Sequence, residues 1–84
     1  MSDHDENLLA EVGEQLLSIR SQQGGVLEEI AAKAKIDPER LAGAEAGQTK
    51  LKANELQALA DVYGVDVTAF FGGRVTPFSY LAGA

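Results

Sequence analysis

The stretch KAKIDPERLAGAEAG, residues 33–47, carries the start and stop signals of a short helix. Asp37 stands immediately before Pro38; an aspartate can cap the free backbone N–H groups at a helix start, and proline suits the first helical position because it has no N–H to lose. Gly47 can adopt the left-handed conformation that ends a helix. The stretch therefore predicts a helix from Pro38 to Ala46.

The sequence before this stretch predicts two more helices. After the pair Gly24-Gly25, apolar residues fall on one helical face and two glutamates occupy the first turn, where the helix dipole favours them, so a short helix is expected at about 27–34. Further upstream an apolar residue recurs every three or four positions, which predicts an amphipathic helix near residues 6–23. The members of that stripe are Leu8, Val12, Leu16 and Ile19.

The sequence after residue 47 predicts a loop and two further helices. The segment GQTKLKAN is polar and cationic, as loops are. A fourth helix then ends at Gly64, and Asp66 is placed to cap a last turn, VTAFF, whose two phenylalanines are large enough to close the base of a core. The apolar face of the fourth helix contains Leu56, Leu59, Ala60 and Tyr63. We therefore expect an all-α domain of five short helices without a sheet.

Size and composition favour one small intracellular domain. The chain has 84 residues, enough for a single core, and no cysteine, so neither a disulfide framework nor a thiolate metal site is expected. The acidic, polar N-terminus and the short apolar runs predict neither a signal peptide nor a membrane span. A soluble, cytoplasmic protein is the expectation.

The acidic net charge is concentrated at the N-terminus. The formal charge is −6, but the first fourteen residues hold five acidic side chains and no lysine or arginine, so the remainder carries −6 + 5 = −1. Between Lys33 and Lys52 five basic residues face three acidic ones, a local balance of +2. Because phosphates attract lysine and arginine, this middle segment keeps nucleic acid among the possible partners.

The residues do not predict catalysis, a metal or a cofactor. The only histidine, His4, lies among acidic residues at the N-terminus, which favours a solvated arm over a metal site. No nucleophile and base stand at a credible spacing. The pairs Gly24-Gly25 and Gly72-Gly73 lack the strand and lysine of a phosphate-binding loop, so hinges are the better interpretation.

From Gly13 to Phe71 the sequence resembles the Cro and phage-repressor-like helix-turn-helix family, also called the XRE family. The segments that carry the resemblance are GEQLLSIR, LEEIAAKA, ERLAGAEAG and ELQALADVYGVDVTAFF. The resemblance implies a five-helix lambda-repressor-like DNA-binding domain over residues 7–71, with an acidic arm at 1–6 and a C-terminal tail at 72–84. It also implies that the third helix meets the major groove of double-stranded DNA.

Several family contacts with the DNA backbone have counterparts here. Gln48, Thr49 and Lys50 follow the helix-ending glycine in the loop that family members lay against the backbone through side chains and amides, and Lys50 and Lys52 are candidates to neutralise phosphates. Arg20 and Glu45 stand where several members form an ion pair. That pair either tethers Arg20 near the phosphates or is an ordinary surface salt bridge.

The positions that touch base edges in the family depart from its usual pattern. Pro38 has no donor, Gly43 has no side chain, and Glu39 can accept only from cytosine N4 while phosphates repel it. Arg40 is the only residue of this helix whose side chain can donate two hydrogen bonds to one base. It is expected either to contact a guanine or to pair with Glu39 or Asp37.

Two departures concern the helix pair itself. Val26 and Leu27 replace the Thr or Ser cap and the glutamine that usually reach the DNA at the start of the second helix. Lys35 replaces the turn glycine, and a lysine enters the left-handed region only at some energetic cost. The sequence thus keeps the scaffold while losing some of the expected contacts.

The tail and the acidic arm leave the functional assignment with two alternatives. Val75, Phe78, Tyr80 and Leu81 either fold onto the chain's own core or cover a second copy; a homodimer is favoured because family members usually bind paired half-sites. The expected function is sequence-specific DNA binding by a transcriptional regulator. The alternative is a protein-interaction module of the antitoxin or anti-repressor type, with the same fold but without base readout.

Overall fold

Four α-helices and one 3-10 helix form the part of the chain that the computed structural model describes, which is the backbone of residues 2–71 and the side chains of residues 8–71. The elements are α1 (Ser2–Gln23), α2 (Leu27–Ala34), α3 (Pro38–Glu45), α4 (Ala53–Tyr63) and the 3-10 helix Val67–Phe71. Residues 2–71 contain no strand, as expected. The prediction of five helices holds only if the 3-10 helix is counted.

The 3-10 helix is held by Asp66. The Asp66 carboxylate accepts from Thr68 N at 3.0 Å and from Thr68 Oγ1 at 2.9 Å, while Ala69 N donates to the Asp66 carbonyl at 2.9 Å. Asp66 therefore caps the turn as predicted. The last of these bonds spans three residues, which is the 3-10 pattern, and the five-residue segment ends before an α-helix can be established.

Helix α1 begins at Ser2, four residues before its predicted start near residue 6. Residues 2–12 contain neither proline nor glycine, and acidic residues suit the positive end of a helix dipole, so nothing in the sequence breaks the helix there. Helix α3 ends at Glu45, one residue earlier than predicted, and Ala46 follows it in a helical conformation. The predicted tail, residues 72–84, lies outside the described residues.

Each helix contributes apolar side chains to one core. The stripe predicted for α1 is inside it, with Leu8, Val12 and Leu16 buried and Ile19 partly buried. Phe70 and Phe71 are 0% and 1% exposed, which confirms that the end of the domain closes the core. The remaining buried members are Ile30, Ala31, Ala34, Ile36, Leu41, Ala44, Leu51, Leu56, Leu59, Ala60 and Tyr63.

Helices α1 and α3 approach each other closely at Gly13. A Cβ atom at this position would lie 2.5 Å from the Ala44 carbonyl oxygen and 2.8 Å from that of Glu45. Only a residue without a side chain leaves room for the α3 backbone here. The contact fixes α3 on α1, so the outer side of α3 is presented in one orientation.

Tyr63 joins α4 to the 3-10 helix inside the core. Its ring meets that of Phe70 edge to face, with centroids 6.3 Å apart and planes at 76°. Its hydroxyl is buried and has no hydrogen-bond partner among the described residues. Loss of hydration, reinforced by the negative charge of Glu45, raises the pKa of Tyr63 to about 12.

No helix within residues 2–71 combines the length and the apolar character needed to cross a membrane.

Candidate nucleic-acid interface

Helices α2 and α3 are joined by a turn of three residues, 35–37. Lys35 has φ 60° and ψ 43°, so it occupies the left-handed region in which the family has glycine. The turn is closed by Ile36 N, which donates to the Ala31 carbonyl at 2.9 Å, and by Lys35 N, which donates to Ala32 at 3.2 Å. The left-handed turn of the family is therefore kept, although a non-glycine residue in this conformation costs free energy.

The two helices start differently. At α3 the Asp37 carboxylate accepts from Glu39 N at 2.8 Å and Pro38 takes the first helical position, which confirms the predicted cap. At α2 the preceding residue is Val26, whose side chain has no acceptor. The start of α3 is accordingly fixed by a side chain, whereas the start of α2 depends on packing of its apolar face.

The outward side of α3 is formed mainly by small residues, and the side-chain donor of this helix is Arg40, whose side chain is 39% exposed. Leu41 and Ala44 face the core. Besides Asp37, whose carboxylate caps the helix, the exposed residues of the helix and its C-terminal cap are Pro38, Glu39, Ala42 and Ala46. Of these only Glu39 can exchange a side-chain hydrogen bond with a base, and only as an acceptor.

Gly43 attaches the following loop to α3. Its carbonyl oxygen accepts from Gln48 N at 2.8 Å and from Thr49 N at 3.2 Å. The Thr49 side chain lies against it so closely that a Cβ atom on Gly43 would collide with Thr49 Oγ1. Gly43 is therefore a packing position in this structure, and the amides of Gln48 and Thr49, which the sequence offered to the DNA backbone, are already used within the protein.

The loop is anchored by one apolar residue between its two lysines. Leu51 is 1% exposed, while Gln48 and Lys52 are exposed and Thr49 and Lys50 are partly exposed. Sequence reasoning treated the whole segment as a polar loop and missed this anchor, although a single leucine among polar residues was the available signal. The anchor holds Lys50 and Lys52 on the surface beside α3.

The predicted ion pair between Arg20 and Glu45 is present. Arg20 Nε donates to Glu45 Oε2 at 2.7 Å and Nη2 to Oε1 at 2.9 Å, and Nη1 donates to the Gly25 carbonyl at 3.2 Å. The side chains are 20% and 7% exposed. The hydrogen bonds to Glu45 raise the pKa of Arg20, so the pair joins α1 to the end of α3 at any physiological pH.

Arg40 makes a second bidentate ion pair, which the sequence did not suggest. Its Nε donates to Glu55 Oε2 at 3.0 Å and its Nη2 to Oε1 at 2.7 Å. The predicted partners on the same helix were Glu39 or Asp37, whereas Glu55 lies at the start of α4. The hydrogen bonds from Arg40 hold the pKa of Glu55 below its usual range.

None of the described residues forms a cluster of histidine and acidic side chains that could bind a metal ion. His4 lies on the helical backbone of α1, where the sequence predicted an arm before the first helix; that its side chain is solvated stays a prediction.

The geometry is that of a helix-turn-helix unit with a basic loop beside its second helix. A comparison with family models matches residues 16–70 to the family described as Helix-turn-helix. The chain belongs to this XRE family. The family consists of DNA-binding domains, and the match covers all but the first fifteen and last fourteen residues. Comparisons with curated proteins and with solved structures gave no match.

Family membership accounts for the scaffold more fully than for the contacts. The turn, the Arg20–Glu45 pair and Gly47 in the left-handed region, with φ 77°, agree with the family positions inferred from the sequence. The candidate DNA contacts Arg20, Glu39, Arg40, Gly43, Gln48, Thr49, Lys50 and Lys52 stay predictions. The structure brings most of them together on α3 and its loop, with Gly43 used for packing.

Proposed function

We propose that this XRE-family chain is a sequence-specific DNA-binding transcriptional regulator, with α3 in the major groove and residues 48–52 along the adjacent backbone. The observation that supports this most directly is the attachment of the loop to α3 through the Gly43 carbonyl. It ties the loop that carries Lys50 and Lys52 to the second half of α3, which supports a shared DNA-facing surface. Helix-turn-helix proteins dock with the same arrangement of groove and backbone contacts.

The phosphate contacts in this proposal are assigned to Lys50, Lys52 and Gln48. The backbone N–H of Gln48 is bonded to Gly43, so its contribution comes from the exposed side-chain amide. Arg20 contributes indirectly, because Glu45 and the Gly25 carbonyl hold its guanidinium. With about three or four phosphates neutralised per subunit, log affinity falls with log salt by about 0.9 per contact.

A gel-shift titration with genomic fragments at low salt tests the proposal. Specific fragments should stay bound in the presence of heparin, and selection and sequencing of them should return a common site. Binding that heparin abolishes for every fragment would leave only nonspecific attraction and would contradict sequence-specific regulation.

Lys50→Ala tests the backbone contact. Because a phosphate contact carries no sequence information, the variant should bind all duplexes more weakly by the same factor. The slope of log affinity against log salt should become shallower by about 0.9. Lys33→Ala on α2 is the control with the same change of charge. Equal effects of the two variants would show that Lys50 acts only through net charge.

We also propose that the chain acts as a homodimer, as the apolar residues of the tail suggest. Sedimentation of the full chain and of a chain ending at Phe71 measures this directly. A full chain that is monomeric at micromolar concentration would remove the dimer from the proposal.

The second candidate is a protein-interaction module that has kept the fold. Four exposed residues of α3 and its C-terminal cap favour it, because they carry no side-chain donor and form a small, mildly acidic surface that suits a protein better than a phosphate backbone; they are Pro38, Glu39, Ala42 and Ala46. If the folded chain gives no gel shift even at a low salt concentration of about 50 mM, this candidate is selected.

A further inference from the structure

Thr49 of the loop fills the place of a missing side chain on α3. A Cβ atom built on Gly43 would collide with Thr49 Oγ1 and would lie 3.1 Å from Thr49 Cβ. The Thr49 hydroxyl therefore stands where the first atoms of a side chain at position 43 would otherwise stand. At this position α3 carries a polar group that comes from outside the helix.

Main-chain bonds and one buried residue hold Thr49 in this place. Its backbone N–H donates to the Gly43 carbonyl at 3.2 Å, next to the bond from Gln48 N at 2.8 Å. Leu51, two residues further along the loop, is 1% exposed and anchors it from the other side. A group that is already held in position loses little freedom on binding, which favours a specific contact.

Position 43 borders the exposed side of α3. Gly43 follows Glu39 by four residues, so the two positions are neighbours on the helix surface. Glu39 is exposed, and both Gly43 and Thr49 are partly exposed. The Thr49 side chain thus lies at the edge of the surface that the proposed function assigns to the major groove.

The second half of α3 supplies no hydrogen-bond donor of its own. Residues 42–45 are Ala, Gly, Ala and Glu, and the carboxylate of Glu45 accepts from Arg20. The described residues give Thr49 no hydrogen bond besides the one from its backbone N–H. A hydroxyl can donate to a base edge or accept from it, so Thr49 has the chemistry that this half of the helix lacks.

We propose that Thr49 reads a base: its hydroxyl forms a hydrogen bond with the polar major-groove edge of one base, in place of a side chain at position 43. This rests on the proposed function. It changes the role of Thr49, which the sequence assigned to the DNA backbone. Because the C5-methyl group of thymine offers nothing to a hydroxyl, the contact favours a polar base edge at that position.

Thr49→Val tests the hydroxyl, because valine replaces it with a methyl group and keeps the branched shape and the backbone N–H. By fluorescence anisotropy we expect the selected site to bind about 2- to 10-fold more weakly, the loss of one hydrogen bond, and a random duplex to bind as before. A new selection with this variant should change the preferred base at one position toward thymine, whose methyl group packs against valine.

Two single variants are the controls. Thr49→Ser keeps the hydroxyl and removes the methyl group, and it should retain the wild-type base preference. Ser21→Ala removes an exposed hydroxyl from α1 and should leave the affinities for both duplexes unchanged.

A double variant moves the hydroxyl from the loop to the helix. In Gly43→Ser combined with Thr49→Gly, the glycine lacks both atoms that a Cβ at position 43 would meet, so a serine fits there and returns a hydroxyl to the same place. Thr49→Gly alone should lose the preference at one base pair, and the double variant should regain it. A double variant that stays as unselective as Thr49→Gly contradicts the inference.

The outcomes separate this inference from the proposed function. A folded wild-type chain that binds no duplex, or binds all duplexes alike, ends the proposal of sequence-specific DNA binding and this inference with it. A wild-type chain that binds a selected site, with Thr49→Val weakening all duplexes by one common factor, assigns the hydroxyl to a phosphate and ends the inference alone. Unchanged affinity and preference in folded Thr49→Val end it as well. If Thr49→Val does not fold, the comparison of Thr49→Gly with the double variant decides.

Discussion

At the scale of single residues, Tyr63 links stability to pH. Its hydroxyl is buried and its pKa is raised to about 12, against about 10 in an unfolded chain. Because the folded state resists ionisation, the contribution to stability is complete below pH 10 and is lost as the pH rises from about 10 to about 12. The loss should reach about 1 kcal/mol at pH 11.

Tyr63→Phe should abolish this alkaline loss. At pH 7 it should also raise the free energy of unfolding by about 1 kcal/mol, because it removes a desolvated hydroxyl that has no partner among the described residues. Urea denaturation at pH 7 and pH 11 measures both effects. The chain has two tyrosines, so Tyr80→Phe is the control; if it removes the alkaline loss instead, the assignment to Tyr63 is wrong.

At the scale of helices, the contact between α1 and α3 depends on Gly13. In Gly13→Ala the new methyl group overlaps the carbonyl oxygens of Ala44 and Glu45, and separating two packed helices costs about 1–3 kcal/mol. This exceeds the gain of up to about 1 kcal/mol from better helix propensity. We expect a net loss of stability of about 1–2 kcal/mol in urea denaturation.

The control for this prediction is Glu14→Ala, the neighbouring exposed position on the same helix. It should change stability by less than about 0.5 kcal/mol. If Gly13→Ala is as stable as Glu14→Ala, the two helices can separate without cost and the close approach does not fix α3.

The helices themselves were predictable because their signals are local. Asp37, Pro38 and Gly47 lie within or beside α3, and each acts through the backbone next to it. The 3-10 form of Val67–Phe71 was not predictable, since the same cap and apolar residues suit a short α-helix. At this scale sequence determines where an element lies better than how tightly it is wound.

The site was predictable only where family positions supplied the partner. Arg20 and Glu45 were paired by resemblance. For Arg40 the sequence offered a guanine or the nearby Glu39 and Asp37 as partners, and it did not offer Glu55, which is fifteen residues away on another helix. The use of Gly43 as the attachment point of the loop was also missed, because its contact with Thr49 forms only when the loop folds back on the helix. Whether Arg40 reaches Glu55 depends on where the start of α4 lies relative to α3 in the folded chain, and no local pattern contains that information.

At the scale of the whole molecule, the distribution of charge should control how fast DNA is found. Five acidic residues lie within the first fourteen positions, and the basic residues lie further along the chain. In the triple variant Asp3→Asn, Asp5→Asn, Glu6→Gln the acidic residues fall from 13 to 10 against 7 basic ones, so the formal charge changes from −6 to −3.

We expect this triple variant to associate faster with every duplex at low salt, because a less negative molecule is repelled less at long range. Dissociation should change little, and the difference from wild type should shrink as salt screens the charges. Stopped-flow association at several salt concentrations measures this. A salt-independent difference would point to contacts made by these residues in place of repulsion.

The hydrogen bonds from Gln48 N and Thr49 N to the Gly43 carbonyl involve only main-chain atoms. They therefore survive replacement of the exposed side chains of Glu39, Ala42 and Ala46. A library randomised at these three positions would keep the same backbone structure and vary only in its exposed side chains. Because the backbone is fixed independently of these side chains, the domain is a starting point for selecting binders of new targets. Natural variants can likewise change their binding preference by substitution at these positions alone.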